Sequence, residues 1–330
     1  EETLRIRAEL QLGPLDETAA FLLGDLYAAR ANHRETADLR RALQAFEDAR
    51  LRYPRTENAV RALWRIGQTY SALGFSHEAV ASFKRVVARH AESPYAAYAQ
   101  LDLAELYRGW ELWKEADGAY RTLRAIRLTP ADQIRARLGS ADVAARLGRY
   151  EEAYQMYREA EAHAREDARA LFRYAETAYH TGRYGEARDL FLALFNIYPR
   201  DPLAPVAYAY VGDTLRIEGR TRHAELTYDD ILAKPAESLG GTLALLMAAV
   251  GKRLLHGCAP IPSGFDDAPC RVEDTTTQDP HRLARELAAQ ARTLLRDRPS
   301  DPTLRRLVFD VATFLRGHGL FDIALELHHE

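Results

Sequence analysis

The sequence predicts an all-α protein, a right-handed α-solenoid superhelix built from about eight helix-turn-helix repeats. Three observations predict this class. Apolar residues three and four positions apart mark two short helices between Ala62 and Pro94. The same pattern returns along the chain at steps of about 34 to 37 residues. The chain is 47% hydrophobic and rich in Ala, Leu, Arg and Glu, a composition typical of helical arrays.

The segment between Ala62 and Pro94 shows how one repeat is predicted to fold. Gly74 separates its two helices. Each helix alone has only a narrow apolar face, so a neighbouring repeat must cover that face. The apolar positions of the two helices are Leu63, Ile66, Tyr70, Ala79, Phe83 and Val86.

We interpret the whole chain, residues 1–330, as a single solenoid. Residues 1–20 are expected to hold a partial N-terminal helix, and residues 21–256 contain successive repeats. Residues 257–280 contain several prolines, both cysteines and no helical pattern, which predicts a loop inserted within one repeat. Residues 281–330 continue the repeats and stop within a helix, so we interpret the sequence as a piece of a longer protein.

Small residues recur where the two helices of a unit are expected to cross, and an aromatic residue recurs in each second helix. The crossing positions include Gly67, Ala104, Ala141, Ala175 and Gly212, and the aromatic positions include Phe83, Tyr120, Tyr157, Phe191 and Tyr228. In these residues the chain resembles the tetratricopeptide repeat family, whose helix-turn-helix unit has about 34 residues. The resemblance implies a non-catalytic scaffold or adaptor that binds a protein or peptide partner.

The longer steps and the Ser-Pro-Tyr-Ala link at Ser93 to Ala96 resemble those of bacterial cell-envelope members of the family. These are of the outer-membrane assembly lipoprotein and Tol–Pal coordinator types, and the likeness is best over residues 56–200. It implies a periplasmic or envelope-associated scaffold in a secretion, motility or polysaccharide-export assembly. A cytoplasmic adaptor for signalling or assembly, and the interaction module of a larger enzyme, are the alternatives.

In the tetratricopeptide superhelix the first helices line the concave face, and positions between their core residues point into a groove. The register implies one column with a glutamine followed by acids: Gln68, Glu105, Asp142, Glu176 and Asp213. It implies a second column of Arg61, Tyr98, Arg135 and Arg169, with Arg108, Arg146, His180 and Arg216 near the ends of the same helices and Trp64, Phe172 and Tyr179 as apolar anchors. These residues predict a mixed-charge peptide groove in which Arg and aromatic side chains supply most of the affinity.

The alternative interpretation is a solvated helix face whose acids and bases pair with each other across repeats. Such exposed pairs contribute about 0–1 kcal/mol each. Chaperone-binding members of the family clamp a terminal carboxylate with Lys and Asn on the first helices. Four of the five corresponding Asn positions here carry carboxylates, which would repel such a ligand, so that function is not carried over. Apolar residues near the C-terminal end are candidates for self-association through the repeat ends: Val308, Val311 and Phe321.

Cys258 and Cys270 are the only cysteines, and both lie in the predicted loop. A disulfide between them would indicate an oxidising compartment and would stabilise the fold by about 3 kcal/mol. A zinc site formed with His256 and His281 is a second interpretation, although the spacing matches no familiar zinc pattern. Two free thiols in a cytosolic loop are the third.

Charge and composition argue against several other classes of protein. A net charge of −3 disfavours a nucleic-acid partner, because phosphate binding needs a basic face. The longest apolar run, Leu243 to Val250, is too short to cross a bilayer, so no membrane insertion is predicted for this fragment. The sequence has no phosphate-binding loop, nucleophile elbow or His-Glu-x-x-His motif. We therefore predict no catalytic residues, metal or cofactor.

Overall fold

The computed structural model describes residues 14–31, 36–124, 126, 128–235, 238–256, 280–297, 302–317 and 321–328. Within these ranges every regular element is a helix and no strand occurs, which confirms the predicted all-α class. The helices fall into two compact units divided after Leu147. We call them unit 1 and unit 2 and describe each by itself.

Unit 1 contains seven helices in the described ranges. They are α1 (Pro14–Arg30), α2 (Thr36–Arg52), α3 (Glu57–Ala72), α4 (Ser76–Arg89), α5 (Pro94–Gly109), α6 (Trp113–Leu123) and α7 (Pro130–Arg146). Each helix packs against the next one along the chain. In addition, α1 contacts α3, α3 contacts α5, and α5 contacts α7. The first helices of successive pairs therefore form one continuous layer, as expected for stacked helix-turn-helix repeats.

The links between pairs end in residues that cap the next helix. Thr56 accepts a hydrogen bond at Oγ1 from the backbone N–H of Ala59, at 3.3 Å, before α3. Thr129 does the same for Asp132 before α7, at 3.2 Å. Pro94 and Pro130 occupy the first turns of α5 and α7. A proline is tolerated there because its missing N–H would have no partner within the helix.

In the described turns after α3, α5, α10 and α12, a residue of positive φ ends the first helix of the pair. Gly74 has φ +81°, and its N–H donates to the carbonyl oxygen of Ser71 at 3.0 Å. The next N–H, of Phe75, reaches back to the carbonyl of Tyr70 at 2.9 Å. This pair of bonds is a Schellman motif, in which glycine is favoured because a side chain is strained at positive φ.

Close contacts between the helices of a pair explain the small residues at the crossing positions. A Cβ added to Gly67 of α3 would lie 2.5 Å from the ring of Phe83 on α4. Phe83 is itself almost completely buried. The missing side chain therefore makes room for the aromatic ring, as the sequence pattern predicts.

Unit 2 contains ten helices in the described ranges. They are α8 (Tyr150–Glu159), α9 (Glu161–Ala164), α10 (Ala168–His180), α11 (Tyr184–Ile197), α12 (Ala204–Ile217), α13 (Thr221–Leu232), α14 (Leu239–Leu255), α15 (Pro280–Asp297), α16 (Pro302–Gly317) and α17 (Phe321–His328). Successive helices from α10 onward pack in order, and α12 also contacts α14. α14 and α15 pack against each other on either side of residues 257–279, which lie outside the described residues.

Two details differ from the sequence interpretation. The structure includes residues 14–20 in α1, so the boundary predicted after residue 20 does not interrupt the helix. Pro14 suits a helix start because its φ is already helical, and Asp16 and Glu17 lie in the first turn, where negative charge is favourable. Val308 and Val311 are buried within unit 2 and are not exposed at an end of the chain. The side chain of Phe321 lies outside the described residues.

The described residues contain no candidate segment for membrane insertion. Among the helices within the described ranges, none combines the length and apolar character that a bilayer span requires.

Candidate functional site

The first helices α1, α3, α5 and α7 carry a network of charged and aromatic side chains, which we call the first-helix face of unit 1. It begins at Asp25 of α1. Arg61 of α3 donates to Asp25 Oδ2 at 2.5 Å, and Arg65 donates to Asp25 Oδ1 at 2.9 Å. Arg65 also donates to the side-chain oxygen of Gln68 at 2.8 Å. These bonds connect α1 to α3 and lead to the next helix.

Asp102 of α5 is the centre of this network. Its Oδ2 accepts hydrogen bonds from Trp64 Nε1 at 2.8 Å and from Gln68 Nε2 at 2.9 Å. Its Oδ1 lies 3.2 Å from Nη2 of Arg135 on α7. Burial raises the pKa of the Asp102 carboxyl, and the hydrogen bonds from Trp64 and Gln68 oppose that rise. One carboxylate thus joins three first helices.

Arg135 forms a two-bond ion pair with a second carboxylate on α5. Its Nε donates to Glu105 Oε1 at 2.7 Å and its Nη2 donates to Glu105 Oε2 at 2.6 Å. This two-bond fork is the strongest common geometry for a guanidinium and a carboxylate. The Arg135 side chain is nevertheless 46% exposed, more than those of Arg61, Arg65 and Arg108.

The network continues toward the end of α7. Arg108 lies 3.3 Å from Oδ2 of Asp142, whose side chain is largely buried. Arg146 stands over the ring of Trp113, with its guanidinium carbon 5.8 Å from the ring centroid. These contacts hold the last charges of the face against unit 1 itself.

Aromatic rings form the other component of the face. The ring of Trp64 lies 5.7 Å from that of Tyr95 and 5.3 Å from that of Tyr98. All three rings are half-buried. They lie beside Asp102, because the indole N–H of Trp64 is bound to that carboxylate. The cluster offers apolar area with polar edges, a combination enriched at protein interfaces.

Unit 2 has a related arrangement on α10 and α12. Arg173 pairs with Glu176, and the hydroxyl of Tyr179 donates to Asp213. Arg216 donates to the same Asp213 at 2.8 Å. Burial raises the pKa of Tyr179, and the negative charge of Asp213 raises it further.

The sixteen residues predicted from sequence for the groove lie in both units, and they include ion-paired side chains and buried ones. Acids and bases pair across repeats, as the alternative interpretation describes, for instance Glu105 with Arg135. Phe172, predicted as an apolar anchor of the groove, is only 4% exposed and packs edge-on against Phe191, with centroids 5.6 Å apart. Asp142 is likewise buried. Arg169 is half-buried.

Sequence reasoning missed four members of the face: Asp25, Arg65, Tyr95 and Asp102. Asp102 had a detectable signal, because it precedes Glu105 by one helical turn and therefore shares its side of α5. Asp25 had none, because its role depends on how closely α1 and α3 approach each other.

In the described part of the chain, no group of three His, Cys, Asp or Glu side chains is arranged to hold a metal ion. Cys258 and Cys270 lie outside the described residues, so the disulfide, zinc and free-thiol interpretations all stay predictions.

Known proteins resemble this chain in sequence and in fold. Two family models described as tetratricopeptide repeat match the sequence, over residues 61–93 and 144–204. The first match covers most of α3 and all of α4. No curated protein matches the sequence.

Three solved structures illustrate the structural likeness. A tetratricopeptide repeat protein from Parabacteroides merdae aligns with TM-score 0.54 and 14% identity, covering 88% of this chain and 96% of that one. YrrB, described as a tetratricopeptide repeat protein with an unusual peptide-binding site, aligns with TM-score 0.51 and 18% identity, covering 62% and 98%. The apo form of RapI aligns with TM-score 0.55 and 10% identity, covering 95% and 83%. With the stacked helix pairs and their glycine turns, these matches show that the chain has the fold of tetratricopeptide repeat proteins and contains sequences of that repeat type at residues 61–93 and 144–204.

Proposed function

We propose that the chain is a non-catalytic scaffold that binds a protein or peptide partner on the first-helix face of unit 1. The repeat fold supports the general class, because tetratricopeptide repeats are typically interaction modules. One observation carries the specific proposal. Half-buried Trp64 and Tyr98 lie beside a charged network whose outermost group, Arg135, keeps nearly half of its side chain in solvent.

This combination suits a peptide better than plain solvation does. Aromatic rings and arginine are the side chains that most often dominate the affinity of interfaces. The ring cluster supplies apolar area, and Arg135 supplies guanidinium donors already held in one orientation by Glu105. Because that orientation exists before binding, the Arg135 side chain loses less conformational freedom when a partner docks. The peptide-binding site described for YrrB, which has the same fold, favours a peptide as the ligand class.

We further propose that the scaffold works in a bacterial envelope assembly for secretion, motility or polysaccharide export. Support comes from the long repeat step and the Ser93–Pro94 helix start, which resemble envelope members of the family. A bridge between Cys258 and Cys270 would agree with a periplasmic location, because disulfides persist in oxidising compartments. A cytoplasmic adaptor is the alternative, and reduced cysteines would favour it.

The partner surface can be tested by site-specific crosslinking. A photo-reactive phenylalanine analogue replaces Tyr95, and extracts of the source organism supply the partner. Arg135→Gln removes the charge and shortens the side chain while keeping a polar amide, and we expect capture to fall about ten-fold or more if Arg135 contacts the partner. Arg121→Gln on α6 is the matched control, because Arg121 is also exposed and ion-paired, 2.9 Å from Asp117, but lies on a second helix.

Capture that stays unchanged in Arg135→Gln would contradict the proposal for unit 1. Capture is compared well below the melting temperature of both variants, because Arg135→Gln leaves the partly buried Asp102 and Glu105 without their counter-charge and should lower that temperature more than Arg121→Gln does. Arg169→Gln, tested separately, asks whether α10 of unit 2 contributes a contact of its own.

A further inference from the structure

The indole ring of Trp64 on α3 is held by three side chains of α5, the first helix of the next repeat. Its Nε1–H donates to Asp102 Oδ2 at 2.8 Å. Its ring stacks with that of Tyr95, with centroids 5.7 Å and planes 26° apart. The ring of Tyr98 lies 5.3 Å away and is tilted by 31°. The two tyrosines fix where the ring lies, and Asp102 binds its polar N–H.

The hydrogen bond to Asp102 selects one of two orientations of this ring. The torsion that joins an aromatic ring to its Cβ is broad and roughly two-fold, so the indole of Trp64 can turn over and exchange its two edges. An indole has one N–H donor and no acceptor. In the observed orientation this donor is already bonded to α5. A partner that contacts the exposed part of the ring therefore meets carbon atoms.

Asp102 is itself held in place, so it can orient the ring. Gln68 Nε2 donates to the same Oδ2 at 2.9 Å, and Arg135 Nη2 lies 3.2 Å from Oδ1. The Asp102 side chain is only 11% exposed. If the indole turned over, Oδ2 would lose one donor at a place that water reaches poorly. That loss is unfavourable, so the inward orientation of the N–H is the stable one.

We propose that Asp102 is a positioning residue of the partner site, which keeps the Trp64 N–H turned inward so that the indole receives an apolar side chain of a peptide. This inference rests on the proposed function, because it names the chemistry that the same face selects. The role requires an acceptor oxygen at the position of Oδ2. It does not require the negative charge, because an amide oxygen also accepts from an indole N–H.

Two substitutions of Asp102 separate its acceptor from its charge. Asp102→Asn can place its amide oxygen at the position of Oδ2, where it still accepts from Trp64 and Gln68. Its NH2 group then faces Arg135 and loses that contact, but Arg135 keeps its two bonds to Glu105. Asp102→Leu has a similar branched shape and offers no acceptor. A loss seen with Leu and recovered with Asn therefore belongs to the indole contact.

The orientation can be measured on the whole chain through the indole N–H signals of its three tryptophans in a proton–nitrogen NMR spectrum. Trp64→Phe assigns the Trp64 signal. We expect this proton to exchange with solvent about ten-fold or more slowly than that of a free tryptophan amide, because it is bonded to a charged acceptor. Asp102→Asn should keep most of this protection, and Asp102→Leu should lose it. The signals of Trp110 and Trp113 should stay unchanged in both variants.

Binding is measured with peptides selected against the whole chain from a random displayed library. Only peptides that Trp64→Ala weakens about ten-fold or more are kept. In each of them, changing one apolar residue to Ser should weaken binding about ten-fold or more. Asp102→Leu should have an effect of similar size, and Asp102→Asn should recover most of that loss. In a Trp64→Phe background, which has no indole N–H, Asp102→Leu should have little further effect.

Asp38 on α2 provides the matched control for destabilisation. Its side chain is 9% exposed and ion-paired with Arg30 at 2.7 Å and Arg41 at 2.8 Å, but it lies on a second helix. Asp38→Leu should therefore destabilise the protein as Asp102→Leu does. Binding of the kept peptides and the Trp64 signal should not change in Asp38→Leu.

The possible failures distinguish this inference from the proposed function. If no selected peptide depends on Trp64, the proposed function of the face fails and the role of Asp102 fails with it. If peptides need Trp64 but bind Asp102→Leu as they bind the unchanged protein, the proposed function stands and the inference is overturned. Equal losses in Asp102→Asn and Asp102→Leu would also overturn it, because charge would then matter and not the indole contact. A Trp64 indole proton that exchanges as fast as the free amide would overturn it without any substitution of Asp102.

Discussion

The turn between α5 and α6 contains an exception that allows a direct test of the repeat geometry. Glu111 has φ +60°, in the region where Gly74, Gly182 and Gly219 have φ between +73° and +81°. Its N–H donates to the carbonyl of Arg108 at 3.1 Å, and the N–H of Leu112 donates to that of Tyr107 at 2.9 Å. These are the two bonds of the Schellman motif seen at Gly74. We therefore predict that Glu111→Gly stabilises the protein.

The size of the effect follows from two opposing contributions. The left-handed conformation costs a residue with a side chain about 1–2 kcal/mol of conformational energy, and glycine removes that strain. Glycine also gives the unfolded chain more freedom, which reverses about 0.4–1 kcal/mol of the gain. The Glu111 side chain is exposed, so no packing is lost. The backbone part of the change is therefore an increase in the free energy of unfolding of about 0–1.6 kcal/mol, centred near about 0.8 kcal/mol.

Charge must be separated from backbone strain, because Glu111 lies at the C-terminal end of α5, where a negative charge is unfavourable by about 0.3–1 kcal/mol. Glu111→Gln removes the charge and keeps the strain. The difference between the Gly and Gln variants therefore measures the backbone alone. Gly74→Ala is the reciprocal change, and its new Cβ meets no atom within 4 Å, so it should destabilise by about 1 kcal/mol.

Urea unfolding of the whole chain measures the midpoint, and amide hydrogen exchange at α5 and α6 reports the local effect. Both are needed, because repeat arrays do not always unfold in a single step. If Glu111→Gly is no more stable than Glu111→Gln, the strain argument is wrong and the turn at Glu111 differs from the glycine turns.

Two further predictions concern the candidate site and the cysteines. Burial raises the pKa of Asp102 above its unfolded value of 3.8, so its contribution to stability is largest below that pH and is lost as pH rises through the folded-state pKa. Asp102→Asn should therefore gain stability relative to the unchanged protein as pH rises from about 4 to 7. A difference in urea midpoints that does not depend on pH would contradict this. If Cys258 and Cys270 are bridged, titration with a thiol reagent in denaturant without reductant should find no free thiol, whereas two thiols per chain would reject the bridge and the periplasmic argument built on it.

The sequence was sufficient to predict the helix pairs, because their stability depends on local periodicity. Leu63 and Ile66 on α3, and Ala79 and Phe83 on α4, are spaced for one face of a helix, and all four are buried. The turn glycines could be recognised because they separate two helical patterns. Glu111 shows the limit of this reasoning, since a non-glycine residue occupies the same turn and leaves no signal in composition.

The hydrogen-bond partners of the side chains in the site could not be predicted, because they depend on distances between helices. The register identified Glu105 and Arg135 as neighbours of a groove, but their fork requires α5 and α7 to approach closely. Phe172 illustrates the opposite error. The register predicts it as an apolar anchor of the groove, yet its ring is buried against Tyr210 and Phe191, with ring centroids 5.9 and 5.6 Å away.

The pairing on the first-helix face of unit 1 limits how a partner can bind there. A ligand carboxylate that displaced Glu105 from Arg135 would leave Glu105 and Asp102 close together without their shared counter-charge. Leaving partly buried carboxylates unpaired is unfavourable, and the pKa of Asp102 is already raised by burial. Exchange of partners is therefore a poor route to affinity.

Addition to the intact network is the more favourable route. The fork and the bond to Asp102 use Nε and Nη2 of Arg135, while Nη1 lies 3.9 Å from Asp132, beyond hydrogen-bond distance. A ligand oxygen can accept from Nη1 without breaking any existing bond. Most of the affinity must then come from apolar contact with the rings of Trp64 and Tyr98, and the charged network selects which peptides can lie across them.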